Sequence, residues 1–331
     1  MRYPYFALAL AIVLFAGERA NAATELEQRA AISAATAEDF FDSDFKSLDT
    51  VSAKYRKEKS RTSSGLWNLS LFYAGLEEAI EAHIERHETD ASLRAVDERT
   101  RTWTQAFPDS PTGHIAHSMA LLELAWALRR TEDASTDSPV SWDRFNELVA
   151  KARANLQTFK AVASVDPRWY QMMVIIARVQ NWEPTAVDAL VNEALEKEPL
   201  FYQTYFSAMD SSRGDVRKLE LFAQDAVVRT KIQEGQGMYA RIYWYASQTQ
   251  FRNDVFNKSL VDWNQMKAGF EDVIKRYPDA WNLNNYARFA CLAGDKTKTL
   301  ELLKRIETSV VPEAWVPQVM KHRCAEWANQ L

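Results

Sequence analysis

The chain has 331 residues, 47% of them hydrophobic and 12% aromatic, so it can bury one large hydrophobic core or two ordinary ones. Nine glycines are few for this length and argue against a turn-rich β protein. The formal net charge is −5, and the sequence has no basic cluster beyond Lys54–Arg61. We therefore expect no nucleic-acid partner.

Residues 1–22 have the pattern of a secretory signal peptide. Arg2 supplies the positive charge, and the apolar run over residues 6–16 is too short to span a bilayer. The sequence Ala20-Asn21-Ala22 fits the cleavage pattern and predicts a mature chain that begins at Ala23. A retained membrane anchor is the alternative. We expect a periplasmic or secreted protein that does not insert into a membrane after cleavage.

The mature chain is predicted to begin with an N-terminal unit of residues 23–64. Glu25 to Tyr55 is predicted as one helix, whose buried side would carry Phe40, Leu48 and Val51 among others. Lys54 to Ser64 is basic and then rich in serine, which predicts a loop. The remaining residues, 65–331, are predicted to form a helical array.

The first part of the array contains four segments with helical periodicity and one long polar stretch. No sustained strand alternation follows them, so we expect an all-α protein. The predicted helices are Leu66–His87, Ala91–Phe107, Ile115–Arg129 and Trp142–Val165, and the predicted surface loop is Thr131–Ser141.

The region from Asp262 to Cys324 predicts three further helices. The first must end at Pro278, and the second opens at Asp279, which can cap it, and closes at Gly294. The second helix is apolar on two sides, which is typical of a helix that packs against neighbours on both. Stacked helix pairs bury their surface in this way.

Corners that combine proline with an aromatic residue recur between predicted helices. Pro167 and Pro199 are 32 residues apart, and Pro278 and Pro312 are 34 apart. The tetratricopeptide repeat has a period of 34 residues. Because the other spacings do not match one repeat, we predict an irregular α-solenoid, similar to tetratricopeptide proteins and built from antiparallel helix pairs.

Two resemblances accompany this pattern. Phe159, Phe270 and Ala194 stand where the tetratricopeptide repeat prefers these residue types, and the chain as a whole resembles the exported bacterial family called domain of unknown function 4034. This second resemblance implies a helical repeat-like fold and an exported location, and it carries no known activity. The matching stretches are Arg61-Thr62 with Gly65-Leu66-Trp67, Pro167-Arg168-Trp169-Tyr170, Gly237–Tyr245 and Tyr277–Asp295.

Polar residues on predicted inner helices are the candidates for partner binding. Arg241 lies among three tyrosines and Trp244, and Asn282, Asn285 and Arg288 interrupt an otherwise apolar helix. Aromatic residues and arginine are frequent interface anchors, although core packing and local hydrogen bonding account for the same pattern. We predict an exported scaffold in the bacterial envelope that binds a protein or peptide.

Four histidines support an alternative, a metal-dependent hydrolase. His83 and His87 are one helical turn apart, and so are His114 and His117, so each pair could share a helix face. Neither pair has a defined third ligand, and solvated histidines on a helix surface account for them better. We find no set of catalytic residues in the sequence, and we expect no cofactor.

Cys291 and Cys324 are the only cysteines in the chain. Two cysteines in an exported protein more often pair than stay free, whereas a reducing compartment would leave them as thiols. Cys291 is on the predicted inner helix, and Cys324 is on the apolar side of the last helix. We predict a disulfide between them, with Cα atoms within about 7 Å.

Overall fold

A computed structural model describes residues 23–85, 90–131, 139–210 and 213–330. All regular elements in these ranges are helical, apart from one isolated bridge between Arg61 and Trp67, so the predicted all-α class is confirmed. The predicted signal peptide, His87 and residues 132–138 of the predicted loop lie outside the described residues. None of the described helices combines the length and apolar character that a membrane crossing requires.

In the first half of the chain, the described residues form eight α-helices. Prolines start several of them, because the first turn of a helix does not need the N–H that proline lacks. The helices are α1 Glu25–Phe41, α2 Phe45–Glu58, α3 Asn68–Glu85, α4 Asp90–Ala106, α5 Pro111–Thr131, α6 Pro139–Thr158, α7 Lys160–Ala163 and α8 Pro167–Val179.

The prediction of one helix over Glu25–Tyr55 is wrong, because the chain breaks between α1 and α2. Ser43 has a left-handed backbone with φ of 59°, and the Asp44 carboxylate accepts a hydrogen bond from the Ser47 N–H at 2.9 Å. Short polar side chains favour such caps over a continuing helix. The break lets α1 pack along α3. The loop predicted from Lys54 begins later, since α2 continues to Glu58.

In the second half, the described residues form nine more α-helices and three short helical turns. The turns are a π-helical segment at Ser247–Phe251 and 3-10 turns at Arg252–Asp254 and Pro312–Ala314. The helices are α9 Pro184–Lys197, α10 Tyr202–Met209, α11 Val216–Glu234, α12 Gly237–Ala246, α13 Val255–Lys258, α14 Trp263–Arg276, α15 Ala280–Leu292, α16 Lys296–Arg305 and α17 Met320–Asn329.

The buried apolar side chains form two clusters. The first is built mainly from α1 to α8, and the second mainly from α8 to α17. Helices that are consecutive in the chain pack on each other in both, as α4 does on α5, α5 on α6 and α15 on α16. This order of contacts is compatible with an irregular solenoid, which stays a prediction.

The residues 59–67, which we call the inner segment, connect α2 to α3 and run between the two clusters. Trp67 packs against Phe201 of the first cluster, with ring centroids 5.7 Å apart. Leu66 packs against the second cluster. The boundary predicted between residues 64 and 65 therefore falls within a segment that contacts both halves of the protein.

The predicted disulfide is confirmed. Cys291 on α15 and Cys324 on α17 are bonded, and their Cα atoms are 5.8 Å apart. Cys324 is buried in the second cluster. The bond fixes the last helix to an inner one.

Candidate functional site

Two of the predicted binding residues hold the inner segment in place. The Ser64 carbonyl accepts hydrogen bonds from Arg241 Nη2 at 3.1 Å and from Asn282 Nδ2 at 3.2 Å. The next residue, Gly65, has φ of +95°, and a Cβ there would meet the Tyr277 ring at 2.7 Å. Only glycine allows the chain to pass this close to Tyr277 and Arg241.

Glu25, in the first turn of α1, organises the serines of the inner segment. Its carboxylate accepts from the Ser64 N–H at 2.8 Å, from the Ser64 hydroxyl at 2.7 Å and from the Thr62 hydroxyl at 2.9 Å. Arg29 pairs with it at 2.6 Å. Burial favours a raised pKa of Glu25, but the hydrogen bonds from Ser64 and the charge of Arg29 lower the pKa overall.

Arg61 attaches the other end of the inner segment. Its guanidinium donates to the Gly65 carbonyl at 2.6 Å and to the Leu200 carbonyl at 3.2 Å. The same group lies over Trp67 and over Tyr202, 5.3 and 4.9 Å from the ring centroids. These contacts fix the segment that forms one wall of the site described next.

A cleft of about 230 Å³ opens beside the inner segment, between α1, α10, α12 and α15, and we call it the central cleft. Its walls combine a set of large apolar or aromatic side chains with a set of polar ones. The apolar set is Leu66, Phe206, Trp244, Tyr245 and Trp281, and the polar set is Arg29, Ser64, Gln203, Arg241, Gln248 and Asn282. Three of the five predicted binding residues therefore line one cleft.

Arg241 is the unusual residue of the central cleft. It is 5% exposed, and its guanidinium lies between the rings of Tyr202 and Tyr277, 4.8 and 5.6 Å from their centroids. The Ser64 carbonyl is its only hydrogen-bond acceptor within the described residues, and no described carboxylate forms an ion pair with it. Glu234 instead accepts from the Tyr277 hydroxyl at 3.1 Å. A buried cation without a carboxylate partner costs free energy that a bound anion would offset.

Two more cleft residues keep unused hydrogen-bonding capacity. Trp244 Nε1, Asn282 Oδ1 and Arg241 Nε are enclosed and make no hydrogen bond to the described protein. Trp244 packs beside Trp281 with ring centroids 6.2 Å apart. Buried polar atoms are normally paired, so these three are exceptions that lie beside the cleft.

Asn285 and Arg288, the other predicted binding residues, are on α15 but do not line the central cleft. Asn285 Nδ2 donates to the Trp281 carbonyl at 2.9 Å within the helix. Arg288 donates to Asn253 Oδ1 at 2.8 Å, and burial lowers its pKa to about 10. Both residues thus form hydrogen bonds with other parts of the described protein and do not line the cleft.

Several cleft residues were missed by the sequence analysis. Trp281 carried a signal, since it lies on the helix that the sequence predicts to be apolar on two sides. Phe206 and Tyr245 stack at 4.6 Å, but they lie on different helices, and no pattern in the sequence pairs them. Arg29 lies over the Trp281 ring at 4.9 Å, although the two residues are far apart in the chain.

The histidines that were predicted as metal ligands have different surroundings in the structure. His83 stacks on Phe41 with ring centroids 6.5 Å apart. His114 is buried against Phe159, and its Nε2 must carry the proton because it faces the Pro108 carbonyl at 2.7 Å. Burial is the main cause that lowers the pKa of His117.

No group of three or more His, Cys, Asp or Glu residues in the described chain is placed to hold a metal ion. His117 Nδ1 lies 3.0 Å from the Thr100 hydroxyl. The metal-dependent alternative stays a prediction.

A second groove, of about 550 Å³, lies between α4, α5 and α6. Leucines line its floor, and its rim carries the exposed cations Arg94, Arg101, Arg144 and Lys151. Arg101 pairs with Asp97, and Lys151 pairs with Glu147. Because these cations are in solvent, they have no need of a ligand, in contrast to Arg241.

Comparison of the chain with protein-family models, with curated proteins and with solved structures finds no match in any of the three.

Proposed function

We propose that the protein is an exported scaffold of the bacterial envelope that binds a protein or peptide, and that the central cleft is its binding site. One observation carries the proposal: the buried Arg241 lies at an aromatic-lined cleft without a carboxylate partner. Aromatic residues and arginine dominate the binding energy of protein interfaces.

The disulfide supports the exported location. Disulfides persist in oxidising compartments such as the periplasm and are rare in the cytosol. The bond between Cys291 and Cys324 therefore agrees with a signal peptide that is removed after Ala22. Mass spectrometry of the native protein should find a chain that starts at Ala23, and an intact Met1 would contradict export by this route.

Crosslinking in the periplasm of the producing organism, followed by recovery of the tagged protein, tests partner binding. Arg241→Met should reduce recovery of the crosslinked partner at least fivefold. Arg288→Met is the matched control, because Arg288 is equally buried but lies outside the cleft. Circular dichroism at the working temperature establishes that both variants are folded.

Equal recovery with the wild type and with Arg241→Met would contradict the central cleft as the binding site. Equal losses with both variants would do so as well, because they would indicate a general effect of removing a buried arginine. A second cleft variant, Phe206→Ala, changes a partly exposed wall residue and should reproduce the loss.

A further inference from the structure

The size of the central cleft limits what it can hold. Sites for drug-sized ligands and cofactors are usually about 300–1,000 Å³, and this cleft is about 230 Å³. A single residue with its terminal or side-chain acid group is of suitable size. A nucleotide or a folded domain would have to remain largely outside.

The charges of the cleft select an anion. Its lining residues include Arg29 and Arg241 and no acidic side chain. Arg29 is already neutralised by Glu25, at 2.6 Å, whereas Arg241 has no such partner among the described residues. One guanidinium without a direct ion pair is therefore available to one negative charge.

The geometry of Arg241 indicates which atom would meet that charge. Nη2 donates to the Ser64 carbonyl, and Nε is enclosed. Nη1 has no hydrogen-bond partner in the described protein and is not among the enclosed atoms. A carboxylate oxygen at Nη1 would form a charge-assisted hydrogen bond in an apolar setting, where such bonds are strong.

The apolar walls of the cleft favour an anionic group that is attached to an apolar body. Leu66, Phe206 and Trp281 are only partly buried, so each presents some apolar surface to the cleft. Aliphatic or aromatic surface placed against them is removed from water, which makes binding more favourable. A small inorganic anion would use the guanidinium and leave these walls uncovered.

We propose that the central cleft binds a carboxylate joined to an apolar body, supplied by the C-terminal residue of a peptide or by an acidic side chain beside an apolar one. Capture of a C-terminal carboxylate is a recurring mode of peptide recognition. This inference rests on the proposed function and names the chemistry that its site recognises.

Isothermal titration calorimetry with three peptides tests the proposal. The probes are acetyl-Ala-Ala-Leu with a free carboxylate, the same peptide as its C-terminal amide, and acetyl-Ala-Asp-Leu-amide. The free acid should bind at least tenfold more tightly than the first amide. Tight binding of the aspartyl peptide would identify a side-chain acid as the source, and weak binding would identify the C-terminus.

Charge changes at Gln248 supply the control. This residue lines the cleft but is exposed, so its substitution leaves the buried contacts intact. Gln248→Glu should weaken binding of the peptide that carries the carboxylate about threefold or more, and Gln248→Lys should strengthen it. The neutral amide should respond little to either substitution.

The possible failures are distinguishable. Equal affinity for acid and amide, with no response to the two Gln248 variants, would overturn the carboxylate inference and leave the proposed peptide site standing if a partner is still recovered through Arg241. If acetate binds as tightly as the peptide with the free carboxylate, the apolar walls do not contribute to binding. No binding of any probe, together with unchanged crosslinking in Arg241→Met, would overturn both proposals.

Discussion

At the scale of single residues, Gly65 sets how closely the inner segment approaches the cleft. Both Gly65 and Gly294 have positive φ, +95° and +76°, but a Cβ at Gly294 would have nothing within 4 Å. Gly294→Ala should lower the free energy of unfolding by about 1–2 kcal/mol from backbone strain alone. Gly65→Ala should cost about 1–3 kcal/mol more, because its methyl group would overlap the Tyr277 ring.

Urea unfolding of the two glycine variants measures this difference. The same variants can be tested with the free-acid peptide, since only Gly65 lies next to Arg241. Similar free energies of unfolding for both variants would mean that the inner segment can move away from Tyr277 at little cost.

Glu25 predicts a pH dependence of stability. Its pKa is lowered in the folded protein, so its contribution is present above the unfolded pKa of about 4.3 and is lost as the pH falls through the lower folded value. Glu25→Gln should reduce the free energy of unfolding at pH 7 by about 1.5–3 kcal/mol. The difference from the wild type should shrink towards pH 3.

Unfolding of both proteins in urea at pH 7 and at pH 3 provides the measurement. Glu196→Gln is a suitable control because Glu196 is exposed. If the difference in free energy of unfolding between the wild type and Glu25→Gln stays constant with pH, the ionised Glu25 carboxylate does not anchor the serines.

The sequence identified Arg241 and Asn282 as polar residues that need a partner, but it did not indicate that the partner is Ser64. Ser64 lies 177 residues from Arg241 and 218 from Asn282. A stretch rich in serine has the composition of a surface loop, and its burial depends on donors that come from distant helices. In the sequence next to this stretch, Gly65 is the one residue whose type is compatible with a close approach of the backbone to its neighbours.

At the scale of elements, the disulfide holds α17 against α15. A terminal helix is otherwise prone to fray. The bond closes a loop of 33 residues, which the chain-entropy model values at about 3–4 kcal/mol. Replacing both cysteines by serine should reduce the free energy of unfolding by a similar amount.

Hydrogen exchange locates the effect of the cysteine replacement. Amides of α17 should lose protection in the double variant, while those of α5 should keep it, because α5 belongs to the other hydrophobic cluster. Loss of protection in both helices to the same extent would mean that the bond stabilises the whole protein and not its end.

Helix ends that depend on local chemistry were predictable. Asp279 caps its helix as expected, with a backbone N–H group at 2.7 Å from its carboxylate, and Asp295 caps the next helix in the same way at 3.0 Å. The break at Ser43 was missed, because apolar periodicity continues from Phe41 to Phe45 and hides the polar residues between them. Periodicity indicates which side of a helix is buried and gives less information on where the helix stops.

At the scale of the whole molecule, the inner segment connects the two hydrophobic clusters. Lys59 pairs with Glu198 at 2.8 Å, and the Ser63 hydroxyl donates to Asp279 at 2.7 Å. We expect the clusters to unfold together in one transition, in which tryptophan fluorescence and circular dichroism coincide. In Gly65→Ala the two signals should separate, and coincident signals in this variant would show that the clusters are coupled elsewhere.

The inner segment also has a consequence for the order in which the chain folds. It is made early in synthesis, whereas Arg241 and Asn282 follow only after most of the chain has been completed. Closing such long loops costs entropy before any contact compensates for it, so non-local contacts form late. Substitutions in this segment should therefore speed unfolding and leave the refolding rate almost unchanged. Until its C-terminal helices arrive, the nascent protein lacks the two donors to the Ser64 carbonyl and has no central cleft.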